Sequence, residues 1–182
     1  WITTWRTGAA SAVIAKYLAD PQSKKLSIIG CGTQGRINAR AIKTQFDSIK
    51  TISAYDPIPA QMDRFKKHVN ELFSDVEVIL SQTVEEACKD ADIVITCCPV
   101  LEKPERFVKA SYLKKDVLCI AVDHDSAFDA DVMTEAVLYV IDDRGQYKYM
   151  QGGGVYFQGY PTEEELYAEM SEIVTGKKPP IL

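Results

Sequence analysis

Six short apolar runs recur along the chain, and segments with a helical spacing of apolar residues separate them. The runs cover residues 25–32, 51–56, 76–81, 92–99, 116–123 and 136–142. They are continuously apolar rather than alternating, which is typical of parallel strands whose two faces are both covered. The segment that follows the first run places Ile37, Ala41, Ile42 and Phe46 on one helical face. This alternation predicts an α/β fold in which helices cover a doubly wound parallel sheet.

The two ends of the chain break the alternation. Residues 7–19 are small or apolar almost all round a helix, so this helix is expected to be buried on several sides, beside a further domain. Near the other end, Thr162 and Glu165 stand in capping-box register before an apolar stripe formed by Leu166, Met170 and Ile173. This register predicts a C-terminal helix.

Charge and cysteine content narrow the class of protein. The chain has 182 residues and a formal net charge of −5, with no basic cluster longer than a pair. It is therefore expected to bind neither nucleic acid nor an anionic membrane, and its apolar runs are too short to span a bilayer. Five cysteines at irregular spacing indicate a reduced, cytoplasmic protein. The adjacent Cys97 and Cys98 could form a redox pair, but their position in an apolar run favours simple burial.

A glycine-rich turn follows the first predicted strand. Gly30, Gly32 and Gly35 complete the pattern G-x-G-x-x-G between a strand and a helix. The first glycine permits a tight turn, the second lets a pyrophosphate approach the backbone, and the third lets the helix pack on the sheet. A plain glycine turn is the alternative, but the context favours a dinucleotide site of Rossmann type. Its cofactor-binding residues are Gly30, Cys31, Gly32, Thr33, Gln34 and Gly35.

An acidic residue ends the second predicted strand. Asp56 stands where a carboxylate can accept hydrogen bonds from both hydroxyls of the adenosine ribose. The same carboxylate would repel a 2′-phosphate, and no arginine adjoins it in the sequence. NAD is therefore the predicted cofactor in preference to NADP.

Polar residues also end the fourth and fifth predicted strands, where open parallel sheets bind their ligands. The first group is Thr96, Cys97, Cys98 and Pro99, and the second is Asp123, His124 and Asp125. The first group and Asp123 are predicted to line the cofactor. An Asp-His-Asp metal site is the alternative for the second group, but a single strand end supplies few convergent ligands, so no metal is predicted. A carboxylate that transfers protons fits the position better.

Four segments together resemble the ornithine cyclodeaminase/mu-crystallin family. They are WITTWRTGAASAVIAKYLA, IIGCGTQGRINARAI, AVDHDS and YAEMSEIVTGKKP, and the likeness extends over nearly the whole chain. The resemblance implies that Arg6 binds the substrate carboxylate, that Thr7 helps to hold the cofactor phosphates, and that Asp125 is catalytic. A planar guanidinium suits a carboxylate because two parallel N–H groups can bind it. Without the family pattern, Arg6 would be read as a member of a surface ion pair.

The resemblance also implies a reaction. NAD takes a hydride from the Cα of a small amino acid, the resulting imine loses ammonia, and in the cyclodeaminase case the hydride returns to give proline. Three alternatives stay open: an amino-acid dehydrogenase of the alanine type, a ketimine reductase, and a non-catalytic nucleotide binder of the mu-crystallin kind. The sequence after Asp125, SAFDADV, departs from the family's usual pattern, so the substrate need not be ornithine.

The resemblance implies a larger protein. Residues 1–182 are expected to form a single NAD(P)-binding domain, in which 1–19 are an inter-domain strand and helix and 160–182 lead back toward a substrate domain. That domain, which carries a catalytic lysine and the dimer surface in the family, has no room in 182 residues. The full-length protein is therefore expected to be a homodimer that binds a small amino acid, and this chain alone is expected to be inactive.

Overall fold

The computed structural model describes residues 2–180 and contains a parallel sheet of five strands in the order β3-β2-β1-β4-β5. The strands are β1 (Lys25–Ile29), β2 (Thr51–Tyr55), β3 (Glu77–Leu80), β4 (Ile93–Thr96) and β5 (Leu118–Ala121). In the register, Ile28 of β1 lies between Ala54 of β2 and Ile95 of β4. The strand order reverses at β1, and this leaves a crevice at the carboxyl ends of β1 and β4. The predicted doubly wound α/β fold is confirmed.

Seven α-helices accompany the strands within residues 2–180. They are α1 (Ile2–Leu18), α2 (Thr33–Gln45), α3 (Pro59–Leu72), α4 (Val84–Cys88), α5 (Ala130–Thr134), α6 (Arg144–Gly152) and α7 (Met170–Val174). Short 3₁₀ turns cover Ala110–Tyr112 and Glu163–Glu165. None of these helices combines the length and the apolar character needed to cross a membrane.

Three apolar clusters form the core of residues 2–180, and the smallest joins α1 to the C-terminal segment through Ile14, Ala168 and Ile173. The first contains the inward side chains of β1, β2 and β4, which pack against α2 and α3; Leu26, Ile52 and Ile93 are among its fully buried members. The second cluster includes Val94 of β4 and gathers Phe128, Tyr147, Phe157, Tyr160 and Leu166 from the C-terminal part of the chain. This second cluster fixes the loops that follow β4 and β5, so it supports that end of the crevice.

The N-terminal helix differs from its predicted form. It begins at Ile2 rather than at Thr7, and the strand expected within residues 1–6 does not form over residues 2–6; Trp1 lies outside the described residues. Packing explains the helix, because α1 crosses α2 so closely that a Cβ on Gly8 would lie 2.6 Å from Cγ2 of Ile37. The close contact requires a glycine on α1, and it overrides the strand preference of the β-branched residues Ile2, Thr3 and Thr4.

The C-terminal third departs most from the sequence expectation. The predicted sixth strand is reduced to β6 (Val140–Ile141), which pairs with β7 (Ala168–Glu169) in a separate two-stranded parallel sheet. The Thr162–Glu165 capping box is present, but it caps the 3₁₀ turn, and α7 begins only at Met170 under a second capping box formed by Glu169 and Glu172. An apolar run predicts burial, and it does not identify the strand with which the run pairs.

Candidate functional site

The glycine loop between β1 and α2 has the geometry of a tight turn. Gly30 has φ = +97°, and a Cβ there would lie 2.6 Å from the Cys97 carbonyl oxygen. A Cβ on Gly35 would overlap the Gly30 carbonyl oxygen. The loop is therefore closed by backbone packing at its first and third glycines, which only glycine permits.

The middle glycine faces open space. No heavy atom lies within 4 Å of the position that a Cβ on Gly32 would occupy. Gly32 is also the N-cap of α2, and no side chain caps the first turn of that helix. Amide groups at an uncapped helix start attract phosphate groups, because they are unpaired donors at the positive end of the helix dipole. A pyrophosphate fits these features, and Thr33 and Gln34 lie in the same first turn.

Asp56 braces this loop from the end of β2. Its Oδ2 accepts a hydrogen bond of 2.8 Å from the Cys31 amide, and its Oδ1 accepts one of 2.9 Å from the Ile58 amide. Each carboxylate oxygen can accept a further bond, since each has two lone-pair sites. The half-buried carboxylate is thereby held in a fixed orientation beside the open space at Gly32.

Arg36 is a residue of this region that the sequence analysis missed. Its guanidinium donates to the Cys31 carbonyl at 3.0 Å, while the Cys31 amide donates to Asp56. No arginine adjoins Asp56 in the sequence, and in the structure Asp56 and Arg36 both bind the backbone of Cys31. The signal was available, because Arg36 directly follows the third glycine of the motif.

A buried carboxylate ties the ends of β4 and β5 together. Asp123 accepts 2.8 Å and 2.9 Å hydrogen bonds from the Thr96 hydroxyl and the Cys98 amide. Burial raises the pKa of Asp123 above its usual value, although these hydrogen bonds oppose the shift. Cys97 is half-buried, and Pro99 is exposed. The side of the crevice formed by β4 is therefore rigid up to Cys98.

Asp125 lies deeper than a solvent-facing acid. Its side chain is fully buried, and its Oδ2 accepts bonds from the Arg106 guanidinium at 2.8 Å and from the Phe157 amide at 2.6 Å. Its Oδ1 is buried and has no hydrogen-bond partner among the described residues. Nothing in the sequence singled out Arg106 or Phe157, because both are brought to Asp125 by tertiary packing alone.

His124 lies in the left-handed backbone region with φ = +59°. Its ring centroid is 6.3 Å from that of Tyr156 and 6.2 Å from that of Phe157. Asp123 and Asp125, its neighbours, are engaged by Thr96 and Arg106 instead. Within residues 2–180, no group of three or more His, Cys, Asp or Glu side chains is arranged to hold a metal ion.

Arg6 and Thr7 lie on α1. The Arg6 side chain is exposed, and the Thr7 hydroxyl donates to the Thr3 carbonyl of its own helix at 2.8 Å. Among the described residues, no hydrogen bond joins either of them to the glycine loop or to Asp125. The structure brings together the loop, Asp56 and the β4–β5 ends. Gly8, the neighbour of Thr7, packs against Ile37 of α2, so this part of α1 lies beside the helix that follows the loop.

Known proteins resemble the chain in sequence. An N-((2S)-2-amino-2-carboxyethyl)-L-glutamate dehydrogenase of Staphylococcus aureus is 29% identical over 98% of this chain and 52% of its own length. An alanine dehydrogenase of Archaeoglobus fulgidus is 30% identical over 98% of this chain and 54% of its own length. The chain thus spans about half the length of the curated relatives it matches.

Solved structures resemble it as well. A Delta(1)-pyrroline-2-carboxylate reductase of Thermococcus litoralis, solved with NADH and L-proline, superimposes with a TM-score of 0.81 at 28% identity. That match covers 100% of this chain and 56% of the reductase. The predicted cofactor agrees with the NADH in that structure. The sequence profile of the ornithine cyclodeaminase/mu-crystallin family matches residues 1–180. The chain belongs to the ornithine cyclodeaminase/mu-crystallin family.

Proposed function

We propose that this chain is the dinucleotide-binding part of an NAD-dependent oxidoreductase that acts on a small amino acid or its imine. The observation that carries the proposal is the open space at Gly32, which lies between an uncapped helix start and a fixed carboxylate. Relatives named as dehydrogenases and reductases support the same class of reaction.

In the proposed complex, the pyrophosphate lies over Gly32 and binds amides of the first turn of α2. Asp56 accepts hydrogen bonds from the adenosine ribose through lone pairs that the Cys31 and Ile58 amides leave free. The hydrogen bond from the Cys31 amide holds the Asp56 carboxylate in this orientation before the cofactor binds. Preorganisation of this kind lowers the entropy that is lost on binding.

The nicotinamide end of the cofactor is proposed to lie at the carboxyl ends of β4 and β5, beside Thr96, Cys97, Cys98, Pro99 and Asp123. Bound NAD would supply a two-electron acceptor or donor there. Asp125 is proposed to exchange a proton through Oδ1, the carboxylate oxygen without a partner among the described residues. Arg6 is proposed to bind the substrate carboxylate and Thr7 the cofactor phosphates. Because Asp125 is fully buried, this role requires the cover formed by Arg106 and Phe157 to leave a path to Oδ1.

The ornithine cyclodeaminase reaction is the second candidate. It is supported by the family membership and by a curated ornithine cyclodeaminase that is 34% identical over 52% of this chain. The dehydrogenase and reductase relatives match 98% of the chain, so we place simple amino-acid oxidation or imine reduction first. A homodimer and a cytoplasmic location stay predictions for the full-length protein.

Two measurements test this proposal. Calorimetric titration of this chain with NADH should show saturable binding that AMP competes with. The full-length enzyme, incubated with NAD and either alanine or ornithine, should then show a rise in reduced-nicotinamide absorbance if it is a dehydrogenase. A cyclodeaminase would release ammonia from ornithine with no net absorbance change. Absence of NADH binding by both the chain and the full-length enzyme would contradict the proposal.

A further inference from the structure

The Arg36 guanidinium lies between the first turns of two helices. It donates to the Cys31 carbonyl at 3.0 Å, to Thr33 Oγ1 at 3.4 Å, and to Gln61 Oε1 of α3 at 3.5 Å. The helix α3 begins three positions after Asp56, so the guanidinium reaches toward the ribose side of the loop.

The charge of this side chain is not neutralised by a carboxylate among residues 2–180. All three hydrogen bonds of Arg36 go to uncharged oxygen atoms. A half-buried guanidinium that contacts only neutral groups keeps its capacity to bind an anion, and phosphate matches its planar fork of donors.

Asp56 and Arg36 form hydrogen bonds with the two backbone groups of the same residue, Cys31. The Cys31 amide donates to Asp56, and the Cys31 carbonyl accepts from Arg36. A ribose bound to Asp56 would therefore carry its 2′ position close to both charges. Asp56 repels a phosphate at that position, and Arg36 attracts one.

We propose that Arg36 is a latent binding group for the 2′-phosphate of NADP(H), and that Asp56 alone keeps the site selective for NAD(H). The proposal rests on the dinucleotide site proposed above. It assigns to Arg36 a role in cofactor specificity, in addition to its bond to the loop carbonyl. Removal of the Asp56 charge should uncover affinity for NADPH, and that affinity should depend on Arg36.

Binding titrations with NADH and NADPH test the proposal in four chains: the unchanged chain, Asp56→Asn, Arg36→Gln and the double variant. Asparagine removes the charge and keeps one acceptor oxygen, so either the Cys31 or the Ile58 amide loses its partner, and the melting temperature of Asp56→Asn is measured to show that the chain stays folded. Asp56→Asn should bind NADPH about tenfold or more tightly than the unchanged chain, the scale of hydrogen bonds to a charged group. Adding Arg36→Gln should abolish that gain.

Further variants separate the charge of Arg36 from its structural role. Arg36→Lys in the Asp56→Asn background retains a cation and should keep part of the gain. Arg64→Gln, at an exposed arginine on α3, is the matched control and should change neither the affinity for NADH and NADPH nor the melting temperature.

Each other outcome counts against the proposal. If Asp56→Asn gains no NADPH affinity, or if the double variant keeps the gain, Arg36 does not bind the 2′-phosphate; NADH binding by the unchanged chain would still leave the proposed function intact. If the unchanged chain binds neither nucleotide, the proposed function fails, and this inference fails with it.

Discussion

The guanidinium of Arg106 lies 2.8 Å from the carboxylate of Asp125, a residue 19 positions later in the chain. The Asp125 side chain is fully buried, and that of Arg106 is 19% exposed. Arg106 also donates to the Gln158 carbonyl at 2.5 Å, and it lies 5.0 Å from the centre of the Tyr160 ring. The loops after β4 and β5 and the segment around Phe157 thus meet at one buried ion pair.

Breaking this pair from the arginine side should destabilise the fold strongly. Arg106→Met would leave the Asp125 charge buried with only the Phe157 amide as a donor. We expect the free energy of unfolding to fall by about 3–5 kcal/mol, the usual cost of an uncompensated buried charge. Urea denaturation followed by circular dichroism measures it.

An exposed pair provides the matched control. Lys67 and Glu71 lie 3.9 Å apart on α3, with side chains 79% and 61% exposed. Lys67→Met should change the free energy of unfolding by less than about 0.5 kcal/mol. Equal effects of Arg106→Met and Lys67→Met would show that the buried pair contributes no more than the exposed one.

Asp56→Ala should weaken NADH binding. The substitution removes the proposed ribose contacts and the anchor of the Cys31 amide. We expect a loss of about 1.5–3 kcal/mol in binding free energy, which isothermal titration calorimetry measures directly. Asp63→Ala, on the exposed face of α3, should leave the affinity unchanged. An Asp56→Ala chain that binds NADH normally would show that this carboxylate does not hold the ribose.

The cysteines should react slowly with thiol reagents in the folded chain. Burial raises the pKa of Cys31, Cys88 and Cys119 to about 12, and the thiolate is the reactive form. Burial also raises the pKa of Cys97 and Cys98 well above its usual value. With a disulfide reagent near pH 8, we expect slow labelling of the folded chain. Denaturant should expose all five thiols, which should then be labelled rapidly. Rapid labelling of Cys97 or Cys98 in the native chain would instead support a redox role for that pair.

A surface acid gives a defined pH dependence. Hydrogen bonds from Lys50 and Lys43 lower the pKa of Asp75 from 3.8 to about 2. Because the folded value lies below the unfolded one, its stabilising effect is complete above pH ~5 and is lost as the pH falls through about 2. The melting temperature of Asp75→Asn should therefore lie below that of the unchanged chain at neutral pH, and the gap should close toward pH ~2. A gap that stays constant over that range would contradict this account.

The first half of the fold could be predicted because its signals are local. The strand before Gly30, the glycine loop and the acid after β2 follow one another within about thirty residues, as in a βαβ unit. Thr83 caps α4 by accepting a hydrogen bond from the amide of Glu86, three positions later. Each of these features depends on neighbours in the chain rather than on tertiary contacts.

The second half could not be predicted, because distant contacts decide it. Val140 looks like part of a sixth sheet strand, yet its pairing partner is Ala168. Asp125 was identified by its position after a strand, whereas its burial under Arg106 and Phe157 depends on residues 19 and 32 positions away. Burial and pairing at such separations leave no periodic signature in the sequence.

The measurement that tests the central claim most directly is NADH titration of Gly32→Val. A Cβ at Gly32 would meet no heavy atom within 4 Å and the backbone is extended, so the variant should fold and melt normally. Gly152→Val is the control, because Gly152 has equally open surroundings outside the glycine loop. We predict that Gly32→Val loses about tenfold or more in NADH affinity, since a side chain would fill the proposed phosphate position, while Gly152→Val binds normally. A folded Gly32→Val chain that binds NADH as tightly as the unchanged chain would contradict the account.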